Sequence, residues 1–184
     1  MTIIVGLGNP GKQYEHSRHN MGWRVVDALA NSLQPTADSD WKKEQEAETL
    51  KIGDAVLVKP QTFMNLSGNA VKAVLKKYDY ASLGKKNFHN LFVVYDDLDI
   101  EVGKYKIILG SGPKVHNGVN DITEKLGTDQ YWHIRIGVDG RNGDRSQDPA
   151  DYVLGGFREE EQVLTEKVMD SVVDLLSQKM MASP

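Results

Sequence analysis

Cysteine is absent from the 184-residue chain, which excludes disulfides, thiol nucleophiles and cysteine-ligated zinc and fits a reducing compartment. Any catalysis must come from His, Asp, Glu, Ser, Lys or amide groups. Long apolar runs are missing too, and nothing approaches the ~20 residues that a membrane span requires. The opening Met1-Thr2-Ile3-Ile4-Val5 has no basic leader and no small-residue cleavage site follows it. Neither secretion nor membrane insertion is expected, and the cytoplasm is the predicted location. An excess of basic charge is also lacking. The formal net charge is −4, with 22 Lys and Arg against 26 Asp and Glu, which argues against a protein that coats nucleic acid indiscriminately. What is present, 40% hydrophobic residues over this length, predicts one compact, soluble domain spanning 1–184.

The charge is unevenly spread. Ala70 to Asn90 holds Lys72, Lys76, Lys77, Lys85 and Lys86 against the single acid Asp79, and Lys104 to Asn120 holds three lysines and no acid. Acid concentrates at Asp38 to Asp54, at Leu91 to Gly103 and from Arg158 onward. Each basic stretch by itself reads as a solvated face, whereas two of them flanking a polar loop would suit an anionic partner.

Thr2 to Leu7 reads as a buried strand leading into a glycine loop. Trp23, Val26, Leu29, Ala30 and Leu33 recur at helical spacing and predict a helix from Gly22 to about Leu33, ending before Pro35. Asp38 to Glu46 reads as a loose connection. Glu48 to Ile52 and Ala55 to Lys59 flank Gly53-Asp54 as a hairpin. Ser67 is the expected cap of a helix carrying Ala70, Val71, Val74, Leu75 and Tyr78. Leu91 to Tyr95 reads as a central strand delivering Asp96-Asp97 at its carboxyl end, and Tyr105 to Leu109 as another strand. A short helix, Gly118 to Leu126, stops at Gly127; Trp132 to Val138 is a strand, and Glu159 to Met180 a long amphipathic helix. The interleaving predicts an α/β three-layer sandwich, a twisted mixed sheet with helices on both faces.

Gly6-Leu7-Gly8-Asn9-Pro10-Gly11 matches the glycine pattern of dinucleotide sites, but Pro10 interrupts it and the polar Lys12 to Asn20 segment separates it from the helix. No acidic residue ends a second parallel strand ~20 residues on, so a nucleotide cofactor is not expected. Asn9-Pro10-Gly11 reads instead as a turn presenting an amide at a strand's carboxyl end. His19 stands at the first helix's start, Asn65 before Ser67, Asp96 at the end of the central strand, and His116-Asn117 at the start of the short helix. His19 paired with Asp96 would form a general base whose tautomer a carboxylate fixes. Asn9, Asn65 and Asn117 would supply uncharged donors and acceptors for a carbonyl, a developing oxyanion and a water. The same carboxylates with His16, His19 or His116 would also suit a divalent cation, though no two-histidine helical spacing favours one.

These residues belong to a longer set. Val5-Gly6-Leu7-Gly8-Asn9-Pro10-Gly11, Tyr14 and Arg18-His19-Asn20-Met21-Gly22 closely resemble the amino-terminal signature of the bacterial peptidyl-tRNA hydrolase family. Four more blocks agree in order: Lys59 to Gly68, Asp96-Asp97-Leu98-Asp99, His116-Asn117-Gly118 and Ile134 to Val138, so that the similarity spans roughly residues 2 to 157. The resemblance implies a phosphorylase/hydrolase-like fold and hydrolysis of the ester between a peptide and the 3′ end of tRNA, by a monomer without metal or cofactor. It makes His19 the general base, Asp96 the group that keeps it proton-accepting, and Asn9 the residue that distinguishes an acylated amino end from a free one. Asn65 and Asn117 position substrate and water, while Tyr14, Phe63, Met64 and His116 join the binding groove. Lys104, Lys106 and Arg135, with Lys114, become candidate phosphate contacts. A catalytically silent binder of the tRNA acceptor end is the alternative from another class; it shares the groove but not the base. The chain departs from the family's usual glycine run before His116, having Gly110-Ser111-Gly112-Pro113-Lys114-Val115, where proline stiffens the loop and removes a donor.

Overall fold

The apolar run at the amino end forms β1 (Thr2–Gly6), buried along its whole length. Its side chains alternate between two cores: Ile3 and Val5 enter one, Ile4 the other. This is the pattern of a central strand covered on both faces, and it explains why the run lacks polar alternation. A computed structural model describes residues 1–33, 40–78, 88–113 and 115–181. Pro35, Asp38, Asp79, Lys85, Lys86 and Lys114 lie outside the described residues.

The further elements are α1 (Met21–Ser32), β2 (Lys42–Glu44), β3 (Ala47–Ile52), β4 (Ala55–Pro60), α2 (Ser67–Lys77), β5 (Phe88–Glu101), β6 (Tyr105–Leu109), α3 (Asn117–Leu126), β7 (Tyr131–Asp139), α4 (Pro149–Leu154) and α5 (Glu159–Met181). Seven strands form one mixed sheet in the order β2-β3-β4-β1-β5-β7-β6. The β4-β1-β5-β7 centre is parallel, and the strands outside it pair antiparallel. One face packs against α2 and α3 through Val56, Val71, Val74, Val93 and Ile122. The opposite face packs against α1 and α5 through Leu57, Val94, Ile134, Val25, Leu29 and Val172. The predicted sandwich is thus the observed one, and among the described residues no helix is long and apolar enough to cross a membrane.

Four features differ from the sequence reading. The central strand, read as Leu91 to Tyr95 with Asp96-Asp97 at its end, runs from Phe88 to Glu101, so both acids lie within β5, just past its last pairing with β1 at Gly6–Val94. The stretch read as loose to Glu46 contains β2, a polar edge strand whose register with β3 runs Lys42–Thr49 to Glu44–Ala47. The short helix α4 was not predicted; Asp148 caps it by accepting from the Ala150 and Asp151 N–H groups, with Pro149 in its first turn. Ser67 is not the cap of α2, for its Oγ donates back to the Met64 carbonyl. The Gly68 N–H is instead taken by Asp121 Oδ2, at 2.7 Å, from the neighbouring α3.

Glycine decides how close α1 approaches the sheet. A Cβ on Gly22 would stand 2.2 Å from Leu7 N and 2.3 Å from Val94 O, so this turn of helix rests directly on the backbones of β1 and β5. The Trp23 N–H donates to the Leu7 carbonyl at 3.2 Å. The 3₁₀ turn Arg18–Asn20 that precedes α1 is thereby held over the carboxyl ends of the parallel strands, where an open α/β sheet has its crevice.

Candidate active site

Two asparagines fix the loop after β1. Asn20 Oδ1 accepts from the Asn9 N–H at 2.8 Å, and Asn20 Nδ2 donates to the Asn9 carbonyl at 3.0 Å. The side-chain oxygen of Asn9 accepts in turn from the Met64 N–H at 2.8 Å. Because a backbone N–H can only donate, this bond sets the amide's orientation and leaves Nδ2 as the donor that Asn9 offers the groove.

Asp96 reaches the same place from β5 and is almost wholly buried. One of its oxygens, Oδ1, is met by two imidazoles: His19 Nδ1 at 2.8 Å and His116 Nε2 at 3.2 Å. The His116 ring caps α3, its Nδ1 accepting from the Val119 N–H at 3.3 Å. An accepting Nδ1 places the proton of a neutral His116 on Nε2, where it is donated to Asp96. The remaining demand of the carboxylate is a proton on His19 Nδ1. That leaves the His19 Nε2 lone pair unprotonated, on a side chain only 13% exposed.

The charges follow. Burial alone would lower the pKa of His19, but the charge of Asp96 and the hydrogen bond to it outweigh burial and raise it above 6.5. Asp96 shows the complementary balance: burial would raise its pKa, yet His19 and His116 hold the carboxyl well below the ordinary carboxylate range. Asp96 is therefore a fixed anion at neutral pH.

A groove of about 1010 Å³ opens on this cluster, lined by Asn9, His19, Asp96 and His116 at its floor and by Phe63, Met64, Asn65 and Asn117 at its sides. Phe63 is 56% exposed, an aromatic surface offered to solvent, while Met64 is buried. The three asparagines singled out from sequence thus come together with His19 and Asp96 around one space. Tyr14 does not join them: it is half-buried in the Lys12–Tyr14 turn and is not among the residues lining the groove. His116 has a role the sequence reading did not give it, as a donor to Asp96; which ring nitrogen carries the proton depends on α3 and is invisible in the residue order.

The basic residues lie apart from the floor. Lys106 on β6 is directly across from Arg135 on β7, and the Arg135 Nε donates to Asp97 Oδ2 at 2.6 Å. Lys104, in the turn before β6, pairs with Glu101 at the surface. Sequence reasoning missed the far wall, made by Arg141, Arg145 and the segment Asp148 to Leu154. Its signal was present: Gly140-Arg141-Asn142-Gly143 follows the carboxyl end of β7, and Asp148-Pro149 is a helix-start pair.

Among the described residues, His19, Asp96 and His116 also converge in the manner of metal ligands, with donor atoms within 4.8 Å of one another. The donor set fits a cation poorly. Ligation through His116 Nε2 needs that nitrogen unprotonated, which moves the proton to Nδ1 and sets it against the Val119 N–H.

Comparison with known proteins identifies relatives of the chain as a whole. The family model described as peptidyl-tRNA hydrolase matches residues 3–183. The chain is 42% identical over 176 residues to a peptidyl-tRNA hydrolase of Rickettsia bellii, covering 95% of this chain and 90% of the relative. It is 38% identical over 183 residues to one from Geobacillus kaustophilus, covering 99% and 94%. Among solved structures, peptidyl-tRNA hydrolase from Acinetobacter baumannii is similar with a TM-score of 0.82 and 29% identity, over 98% of this chain and 90% of that one. A peptidyl-tRNA hydrolase in complex with N-propanol gives 0.80 and 30%, over 97% and 89%.

Proposed function

The chain belongs to the peptidyl-tRNA hydrolase family, and from that premise we propose that it cleaves the ester between a peptide and the 3′ end of tRNA with the neutral imidazole of His19 as general base. The observation that carries the mechanism is the single Asp96 oxygen shared by two histidines, one of which has its tautomer set by a helix N–H. In this reading the His19 Nε2 takes a proton from water as the oxygen attacks the ester carbonyl. The imidazolium so formed is stabilised by the buried anion Asp96. Collapse of the tetrahedral adduct breaks the bond to the ribose oxygen, which receives the proton back from His19. The products are a peptide carboxylic acid and free tRNA.

The amides supply recognition. Asn9 Nδ2 donates to a carbonyl, so an acylated amino end has an acceptor for it and a free ammonium has none. Asn65 and Asn117, both exposed and lining the groove, orient the substrate and the attacking water. Phe63 offers a face on which an unpaired base or an apolar side chain can stack, and Met64 packs beneath it. Binding energy independent of peptide sequence comes from phosphates, with the cross-strand pair Lys106 and Arg135 as contacts. Lys104 joins them by leaving Glu101, an exposed pairing of small cost to break. Residues 1–184 act as one unit and as a monomer, in the cytoplasm where such a substrate arises.

The test is selective release. The purified protein is expected to free tRNA from an N-acetylated aminoacyl-tRNA and to spare the form with a free amino group. Equal release from both would remove the role given to Asn9, and binding without release would make the protein a silent acceptor-end binder.

A further inference from the structure

We infer that the buried Arg18–Glu161 pair is a positioning brace that sets the far wall of the groove against the turn carrying His19, and so governs substrate affinity more than proton transfer. Neither side chain is a floor residue. Arg18 Nη2 donates to Glu161 Oε2 at 2.9 Å, with the two side chains only 7% and 3% exposed.

The brace holds both sides of the groove. On the side of His19, the Arg18 N–H donates to the Gly155 carbonyl at 3.0 Å, and Ser17 bridges to Gly156. On the side of the wall, the guanidinium lies 4.1 Å over the Tyr152 ring of α4 and 5.2 Å from the Phe157 ring. Tyr152 passes the constraint on: its hydroxyl accepts from the Gly140 N–H and donates to the Val138 carbonyl, and Arg141 lies 4.8 Å over the same ring. Glu161 is equally committed. It accepts from the Arg158 N–H at the start of α5, the carboxylate half of a capping box, and from Arg158 Nη2, which also donates to the Gly140 carbonyl. A Cβ on Gly140 would stand 1.8 Å from Glu161 Oε1, so loop and carboxylate are in direct contact.

Packing alone does not explain an ion pair here. A pair of apolar side chains of similar volume fills such a space at equal or lower cost, and Arg18 Nε is buried without a partner. What charge adds is direction: one guanidinium addresses the Glu161 carboxylate, the Tyr152 carbonyl and two rings at once. His19 is oriented separately, by Asp96, so loosening the wall leaves the base in place.

The kinetic part of this inference rests on the proposed hydrolase reading; the structural part does not. The double variant Arg18→Met with Glu161→Met removes the pair without leaving a buried charge unpaired, since Arg158, which also loses Glu161, is 53% exposed. With N-acetylated aminoacyl-tRNA, its KM is expected to rise about tenfold or more while kcat and the pH midpoint stay within about twofold of the parent. Amide hydrogen exchange across 140–154 is expected to accelerate while β1 and β5 keep their protection. If the double variant fails to fold, Tyr152→Phe, which deletes only the hydroxyl, is expected to give the same two changes in smaller degree. A folded variant with unchanged KM and unchanged exchange at 140–154 would overturn the brace. A parent protein that releases no tRNA would instead refute the hydrolase reading, and the exchange comparison would still decide the brace.

Discussion

Replacing Asp96 with asparagine keeps the size of the side chain and an oxygen for both imidazoles while removing the charge. Charge centres about 4 Å apart attract by about 4 kcal/mol at an effective dielectric near 20. The amide oxygen retains about 1 kcal/mol of this through hydrogen bonding, leaving a loss of about 3 kcal/mol in stabilising the imidazolium. At 1.36 kcal/mol per decade that is about 10²-fold in kcat/KM for Asp96→Asn. The pH dependence adds a sign. His19 must be neutral to act, so activity of the parent falls as pH drops through its raised pKa. In Asp96→Asn the carboxylate's upward influence is gone and burial, which lowers the pKa, is left, so the midpoint moves to lower pH. The variant therefore has more neutral His19 at pH 7 than the parent, and its deficit cannot be one of protonation. Steady-state rates on N-acetylated aminoacyl-tRNA from pH 5 to 9 check both parts. A loss smaller than about fivefold, or a midpoint that stays put, would refute the reasoning.

Other outcomes follow from the same geometry. His19→Ala is expected to lower kcat by about 10²- to 10⁴-fold while leaving tRNA affinity nearly intact, as read by single-turnover kinetics and filter binding. A chelator is expected to leave the parent's rate unchanged, and a loss that added divalent metal restores would contradict the hydrogen-bonded reading of the His19, Asp96 and His116 cluster. Gly22→Ala improves helix propensity by about 1 kcal/mol, yet a methyl 2.2 Å from Leu7 N must move backbone, so urea unfolding should show a net loss of about 2 to 3 kcal/mol. If Lys106 meets a phosphate, Lys106→Ala should reduce the slope of log affinity against log salt by about 0.7 to 0.9, and an unchanged slope would remove it from the interface.

The sequence made the central layer legible because burial on both faces leaves a strong mark: β1 and the middle of β5 are unbroken apolar runs, and α1 and α5 carry clear helical spacing. The hairpin of β3 and β4 was equally readable from Gly53, which takes φ 57 at its turn. Edges were not. Lys42-Lys43-Glu44 is polar because it pairs on one side only, and α4 is too short for periodicity to register. Ser67 has the right residue type for a cap, but Asp121 from a distant element takes the helix N–H instead. The candidate floor was legible as residue types after the first strand, at the helix starts and along the central strand, with His19, Asp96 and the asparagines named in advance, although β5 runs on past Asp96 to Glu101. The direction of each hydrogen bond was not, since the tautomer of His116 and the aim of the Asn9 amide depend on partners that only the fold brings near. The far wall and the brace beneath it were hidden for the same reason: Arg18 and Glu161 are 143 residues apart.

Base catalysis at this site requires His19 to carry its proton on Nδ1 and an open lone pair on Nε2. Nitrogen-15 chemical shifts of the histidine rings, followed through a pH titration, read this directly. The expected result is an Nδ1–H tautomer for neutral His19, with a midpoint above 6.5 that coincides with the midpoint of kcat/KM. A neutral His19 protonated on Nε2, or a ring titration that does not track activity, would contradict it.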